Sequence, residues 1–488
     1  MLKFCRADRL DYPQATIDTL PDNVLLETFE FYLGKDDADG FYYYDYDSDG
    51  WHTLVHVCRR WRCIVFASPR RLDLKLFCTP QRSVNSKTLE IWPELPIVID
   101  VDGSPSQVNA TNVIAALRHH NRVCKIYYDN LQHQDSPLLT EFAAIDESFP
   151  ALTALILIAD GQNVPVLPDS FLGGSAPRLR SLTLFGIPYP SIGTLLSSTT
   201  NLVRLDLSRI PHSGYIAPET IVPCLSTLAR LESLTLHFQF PRSRAHRESR
   251  HPPPLTRVVF PSLTSFYFRG DGEYLEDTLS QIEIPVLNRF NICLFNQLVF
   301  DTSLLGYFIR RTETFMKTHS ARVLCSESAI SIRLSEQEDD YRTPVLWLGI
   351  SCEPLDWQLS ALAQVLNSFL SSLPTLESLQ IEVTHKDWEG ETEVIQWREF
   401  LHPFTSVKKL ALKSEDLVRL VAHALQELAG ERATEVLPAL QNLVLDTKDW
   451  RPSGPVKEAM EQFITARQLC GHPVTVHYRD RESGEYVQ

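Results

Sequence analysis

The feature that most constrains this 488-residue chain is a recurring phrase, L-x-x-L-x-L. Its clearest copies are Leu152/Leu155/Leu157, Leu179/Leu182/Leu184, Leu202/Leu205/Leu207 and Leu231/Leu234/Leu236, with weaker ones at Leu263/Phe266/Phe268 and Leu287/Phe290/Ile292. It returns at Leu376/Leu379/Ile381, Val407/Leu410/Leu412 and Leu440/Leu443/Leu445. The last two apolar positions of each copy lie two apart, the period at which a strand turns one face to the core. Successive first positions are 27, 23, 29, 32 and 24 residues apart, then 31 and 33 beyond a gap, which leaves room for a strand, a turn and a helix. Such a unit has one apolar strand face and one apolar helix face, and neither is buried without neighbours, so the units must stack.

Punctuation supports this division. Phe149-Pro150, Ala176-Pro177, Phe260-Pro261, Ile284-Pro285, Leu373-Pro374 and Leu437-Pro438 stand before the strands and mark the helix-to-strand corner. Helical patterns fill the intervals at Val113 to His119, Ser191 to Ser198, Pro218 to Leu228, Trp357 to Leu373 and Asp416 to Leu428. The stretch 296–354 breaks the period, with a helix expected over Leu304 to Lys317 and strands over Ala329 to Leu334 and Val345 to Ser351. The period resembles that of leucine-rich repeats, which implies an α/β solenoid, a horseshoe with a parallel sheet on its concave face. Thr183, Arg204, Asp206, Thr235, Ser265, Tyr267, Gln380, Lys409 and Asn442 then point outward. Arg204, Asp206 and Tyr267 are the first candidates for target binding.

Before the repeats, residues 15–77 have a different character. Thr19-Leu20-Pro21-Asp22 opens a helix, with Thr19 as cap, Pro21 where a missing N–H costs little and Asp22 at the positive end. Leu25, Leu26 and Phe29 follow at helical spacing, and Gly34 ends the run. A second helical pattern from Trp51 carries Leu54, Val57, Cys58, Trp61, Ile64 and Val65 on one face and closes at Ser68-Pro69. So short a unit buries little apolar surface, so part of that surface is expected to belong to a partner.

LPDNVLLETFEFY followed by LVHVCRRWRCIVFASPRRLDLKLF resembles an F-box, whose hallmarks are Leu-Pro opening the first helix and Val-Cys-Arg-x-Trp in a later one. The resemblance implies docking onto the Skp-type adaptor of a cullin–RING ubiquitin ligase through Leu20, Pro21, Leu25, Leu26, Phe29, Leu54, Val57, Cys58 and Trp61. Leu20, Pro21, Leu25 and Leu26 would face the adaptor. Along nearly the whole chain, VPVLPDSFLGGSAPRLRSL, IPHSGYI, RLESLTL, PPPLTR and FNQLVFDT are similar to the F-box-like proteins of basidiomycete fungi. The resemblance departs from its pattern at residues 34–50, GKDDADGFYYYDYDSDG, an acidic and tyrosine-rich insertion. Asp45-x-Asp47-x-Asp49-Gly50 within it mimics half of a calcium loop, but position twelve falls on His56 rather than a bidentate glutamate. It reads as a solvated acidic loop.

A net charge of −15 speaks against a general nucleic-acid surface, and the most apolar stretch, Ala151 to Ala159, is about half a membrane span. The opening residues carry no continuous apolar run of a secretory signal, and ten scattered cysteines without C-x-x-C or zinc spacing read as reduced thiols. A cytoplasmic or nuclear protein is expected. G-x-G-x-x-G, G-x-x-x-x-G-K-[ST], H-E-x-x-H and G-x-S-x-G are all missing, so neither catalysis nor a cofactor is expected. Residues 241–257 concentrate arginine, including Arg242, Arg244, Arg247 and Arg250. They read as a surface insertion, with capture of an acidic or phosphorylated segment and nuclear import as functional alternatives. The domains expected are a helical module at 15–77, repeats at 78–480 and a tail at 481–488. Two functions follow: a ubiquitin-ligase adaptor that holds an unknown protein target, or a repeat scaffold whose F-box no longer docks.

Overall fold

The structure, a computed structural model, describes residues 17–34, 50–79, 94–102, 107–130, 137–159, 164–241, 257–326, 328–337, 344–351, 358–370, 373, 375–383, 394–426, 432, 434–446, 453–479 and 486–487. The chain divides into two compact units, residues 1–128 and 129–488.

The first unit opens with α1 (Asp22–Leu33), α2 (Gly50–Val57) and α3 (Arg59–Ala67). Pro21 rather than Thr19 sits at the helix start, its carbonyl accepting from the amides of Val24 and Leu25 at 3.0 and 3.1 Å. Gly34, at φ 68°, ends α1 as the sequence predicts. The second helical pattern is two helices, not one. Cys58 leaves the helical region (φ −157°, ψ 171°) and its Sγ accepts from the amide of Trp61 at 3.4 Å, so the thiol caps α3. Arg60 ties α3 to the start of α1, donating to Asp22 Oδ1 and to the Leu20 carbonyl, both at 2.6 Å. Strands β1 (Leu76–Cys78) and β2 (Ile97–Asp102) pair in parallel, α4 (Gln107–Leu117) packs on both, and β3 (Val123–Asn130) follows. The repeat-like βαβ start clusters with the helices in the first compact unit, residues 1–128.

In the second unit the phrase L-x-x-L-x-L becomes a turn and a strand. The first leucine closes a turn, its amide bonded to the carbonyl three residues back, at Leu152 to Phe149 (3.2 Å), Leu179 to Ala176 (3.0 Å), Leu202 to Thr199 (3.0 Å), Leu231 to Leu228 (3.1 Å) and Leu440 to Leu437 (3.0 Å). Pro150, Pro177 and Pro438 occupy the second position of their turns, where a fixed φ is already correct. The strands β4 (Ala154–Ala159), β5 (Ser181–Phe185), β6 (Arg204–Ile210), β7 (Ser233–Phe238), β9 (Ser265–Gly270) and β11 (Arg289–Phe295) pair in parallel in that order. Two short strands, β8 (Val258–Val259) and β10 (Ile282–Glu283), form a separate parallel pair.

The gap in the period is a three-stranded detour. After β11, α9 (Ser303–Arg311) and α10 (Glu313–Met316) lead to β12 (Ser320–Cys325), which does not pair with β11. Instead β12, β13 (Ala329–Ser335) and β14 (Leu346–Ser351) form an antiparallel meander, β14 lying parallel to β11 and β12 parallel to β15 (Ser378–Val383). The single helix expected over Leu304 to Lys317 is broken at Thr312, whose ψ is 112°. Beyond it β16 (Lys409–Leu412), β17 (Asn442–Leu445) and β18 (Thr475–Arg479) resume parallel pairing, and β19 (Tyr486–Val487), within the expected tail, adds an antiparallel edge.

The helices in the crossovers are α5 (Pro137–Ala143), α6 (Ile192–Ser198), α7 (Pro218–Leu225), α8 (Gly272–Gln281), α11 (Gln358–Asn367), α12 (Val394–Leu401), α13 (Glu415–Gln426) and α14 (Pro455–Leu469). One stitch between them is electrostatic. Buried Glu276 on α8 accepts from the amides of Leu304 and Leu305 at 2.8 and 2.7 Å, so a carboxylate from one repeat caps the helix of the next. Glu276→Ala strands one buried and one part-buried amide and is expected to cost about 2–4 kcal/mol. Glu276→Gln, which keeps one acceptor, should lose less. Urea unfolding midpoints check this, and an unshifted midpoint for Glu276→Ala would refute the capping role.

Candidate functional site

Register fixes which residues share the sheet face away from the buried leucines. One row runs Thr183, Asp206, Thr235, Tyr267, Asn291, Trp347, Arg333, Arg322 and Gln380, each the direct neighbour of the next. All nine outward positions expected from the sequence lie on this face. Arg204 is exposed and one pleat from Asp206, in register with Ser233 and Ser265. Asp206 and Tyr267 are half-buried and separated by Thr235 alone. Arg322, Arg333 and Trp347 extend the row through the meander. The sequence marks two of its strands as apolar but does not reveal their order in the sheet.

The next row holds His237, Arg269, Cys293, Gly349 and Ser331. Arg269 stacks its guanidinium over Phe295, 5.8 Å from the ring centre, and Arg209 does the same over Phe185 at 5.5 Å. Arg209 sits at φ 51° where the register of β6 on β7 slips, a bulge that re-aims its side chain. Burial raises the Asp206 carboxyl, against the opposing pull of the Ser208 hydroxyl bonded to it and of Arg204. Burial raises the Tyr267 phenol, as does Cys293 beside it. His237 is pushed down to about 4 by burial and by the cations Arg269 and Arg209. Burial alone disfavours the charged imidazolium, and the two neighbouring cations add to that effect.

The first unit presents a second surface. Leu25, Phe29 and Leu54 are buried among Trp51, Val55, Ile64 and Val65, and Phe29 packs its ring 4.7 Å from Trp61. The expectation that Leu25 faces a partner is thereby corrected: it, Phe29 and Leu54 fill the core that holds the helices together. Leu20, Leu26, Cys58 and Trp61 are half-buried, while Pro21 and Val57 are exposed. Phe31, 91% exposed, and Val24 lie seven residues apart on α1, on a side that does not carry Leu25 and Phe29. Sequence reasoning passed over Phe31 because it falls off the core periodicity, and that mismatch was the available signal. The insertion at 35–49 and the arginines Arg242, Arg244, Arg247 and Arg250 lie outside the described residues.

Among the described residues no group of three or more His, Cys, Asp or Glu side chains is arranged to hold a metal ion, and no helix is long and apolar enough to cross a membrane. The strand register and crossovers define a mixed α/β protein with a long, mostly parallel sheet, consistent with a leucine-rich-repeat-like solenoid. No protein-family model matches the chain, and no curated protein matches it. Among solved structures it is similar to the leucine-rich repeat-containing protein LegL7 from Legionella pneumophila, at 14% identity and a TM-score of 0.27, over 70% of this chain and 96% of that one.

The protonation state of His237 is testable. Its folded value lies below the unfolded one of 6.5, so the unfolded state binds the proton first as pH falls. Through this group stability rises with pH between about 4 and 6.5. An NMR titration should show His237 without a midpoint above pH 5, and Arg269→Gln should move its midpoint upward.

Proposed function

We propose that the chain is the target-recognition subunit of a Skp–cullin–F-box type ubiquitin ligase, docking through its N-terminal helices and holding a protein target on the open sheet face. The observation that carries the docking half is the surface of the first unit. Its helices bury a core of Leu25, Phe29, Trp51, Leu54, Val55, Ile64 and Val65, yet leave Phe31, Val57 (55% exposed) and Pro21 exposed and Leu20 and Leu26 half-buried. Large apolar side chains left exposed on these short helices would gain from burial against a partner's surface. The chain supplies no chemistry in this reading. It places the target beside the charged ubiquitin carrier and raises its effective concentration there. The open sheet supports the target half: a broad face of chemically varied side chains on a rigid scaffold recognises surfaces.

A second reading is a repeat scaffold that does not dock. It is favoured by the burial of Leu25, Phe29 and Leu54, which leaves fewer of the F-box-like positions to meet an adaptor. Copurification with a Skp-type adaptor separates the two. Wild type should retain the adaptor, Phe31→Ala with Val57→Asp should abolish retention, and the exposed Arg230→Gln should leave it intact. Failure of wild type to bind defeats the docking claim. Retention gained only on deleting residues 35–49 assigns the chain to the scaffold reading.

A further inference from the structure

The helix-free sheet face is cationic in a chain of net charge −15. Across β6 to β16 it carries Arg204, Arg269, Arg289, Arg322, Arg333 and Lys409 against the carboxylates Asp206 and Glu382. These charges are unevenly matched. Arg322 donates to Glu382, and Asp206 is already engaged by Ser208. Arg269 and Arg333 are left over: both are half-buried, and no acceptor reaches the Nε of either. Arg333 lies directly opposite Arg322 on the neighbouring strand, a like-charge pair that a sheet tolerates only when anions answer it. Glu382 answers Arg322, and nothing among the described residues answers Arg333.

Between the two unmatched arginines lies an aromatic floor. Trp347 is the direct neighbour of Arg333 and of Asn291, and Tyr267 adjoins Asn291 on the other side. A Cβ at Gly349 would stand 3.0 Å from the Trp347 ring, so the glycine lets the indole lie flat on the strands. Arg269 and Arg333 are three strand intervals and two residues apart, on the order of 15 Å from ordinary sheet spacings. An extended chain covers that distance in about five residues.

We propose that this face binds an extended acidic peptide segment of the target, with one carboxylate on Arg269, a second on Arg333 and an apolar residue over Trp347 between them. The proposal rests on the reading that the repeat sheet holds a protein target, and it names the chemistry of what is held. A carboxylate satisfies an arginine fork in the plane the guanidinium offers, and half-burial strengthens the contact relative to open solvent. A nucleic-acid strand fits less well. Asp206 and Glu382 interrupt the cationic row and would oppose a phosphate backbone, and the net negative charge repels a long polyanion at range.

Fluorescence anisotropy on the full-length chain, without any adaptor, tests this. The probe is a labelled peptide of about twelve residues with two glutamates about five apart around a phenylalanine, otherwise glycine and serine. Saturable binding is expected, weakened roughly tenfold when the glutamates become glutamine and roughly tenfold by Arg269→Gln with Arg333→Gln in the protein. Glu382→Gln, which frees Arg322, should tighten binding several-fold, a gain that misfolding cannot imitate. No saturable binding, binding indifferent to the arginine variants, or a single-stranded oligonucleotide that binds the same face more tightly would each overturn the proposal. Because the adaptor is absent, its failure leaves docking untouched, and failed docking with intact peptide binding leaves this inference standing.

Discussion

Two unbroken apolar columns inside the sheet hold the second unit together. One runs Leu155, Leu182, Leu205, Leu234, Phe266, Phe290, then Leu346, Leu334 and Ala321 through the meander, and on to Leu379, Leu410 and Leu443. The other runs parallel to it two residues along, from Leu157 to Leu445. Each member is buried because the strand on either side supplies the next. Full burial of such a side chain is worth about 1.5–3 kcal/mol, but only while both neighbours are present. Register follows at once, because a one-residue slip would turn a whole column to solvent. The polar face is therefore specified by the apolar one.

The meander shows how strong that constraint is. Between β11 and β15 the chain abandons the repeat, crosses past two strand positions and returns by two antiparallel steps, yet the columns continue without a gap. Alternation is indifferent to strand direction, so an antiparallel strand with the right period-two pattern fills a parallel site. The detour changes the outer face instead. It brings Arg322 and Arg333 into direct opposition and places Trp347 over Gly349, an arrangement that helix-linked repeats would reach only by coincidence.

Much of this was legible in the residues. The leucine phrase located the regular strands, and the prolines located turns whose geometry they pre-set. Outward positions such as Tyr267 and Asp206 followed from alternation alone. What was not legible depended on long-range order. Ala329–Ser335 reads as a strand, but nothing local says that it separates β12 from β14 or sets Arg333 against Arg322. Cys58 reads as a face residue of one continuous helix, and only the backbone reveals it as a cap. Leu25 matches a docking motif and is also the best core residue of its helix. A motif match does not say which of these uses the fold has made of it, whereas the exposed Phe31 carried no motif signal.

The charge distribution has a physical logic beyond its sum. Carboxylates predominate over the chain, and the cations that face the open sheet are mostly arginines, not lysines. On a pleated surface a lysine extends its hydrated ammonium into water, whereas an arginine lies flat, stacks on a ring and keeps its charge when half-buried. Arg269 over Phe295 and Arg209 over Phe185 show that mode. Held so, a guanidinium loses little freedom when an anion arrives. His237 sits in the same setting: burial first, and the cations Arg269 and Arg209 second, leave it holding its proton only at low pH. The same half-burial keeps the cations' effect alive at physiological salt, where a fully exposed cationic patch would be screened.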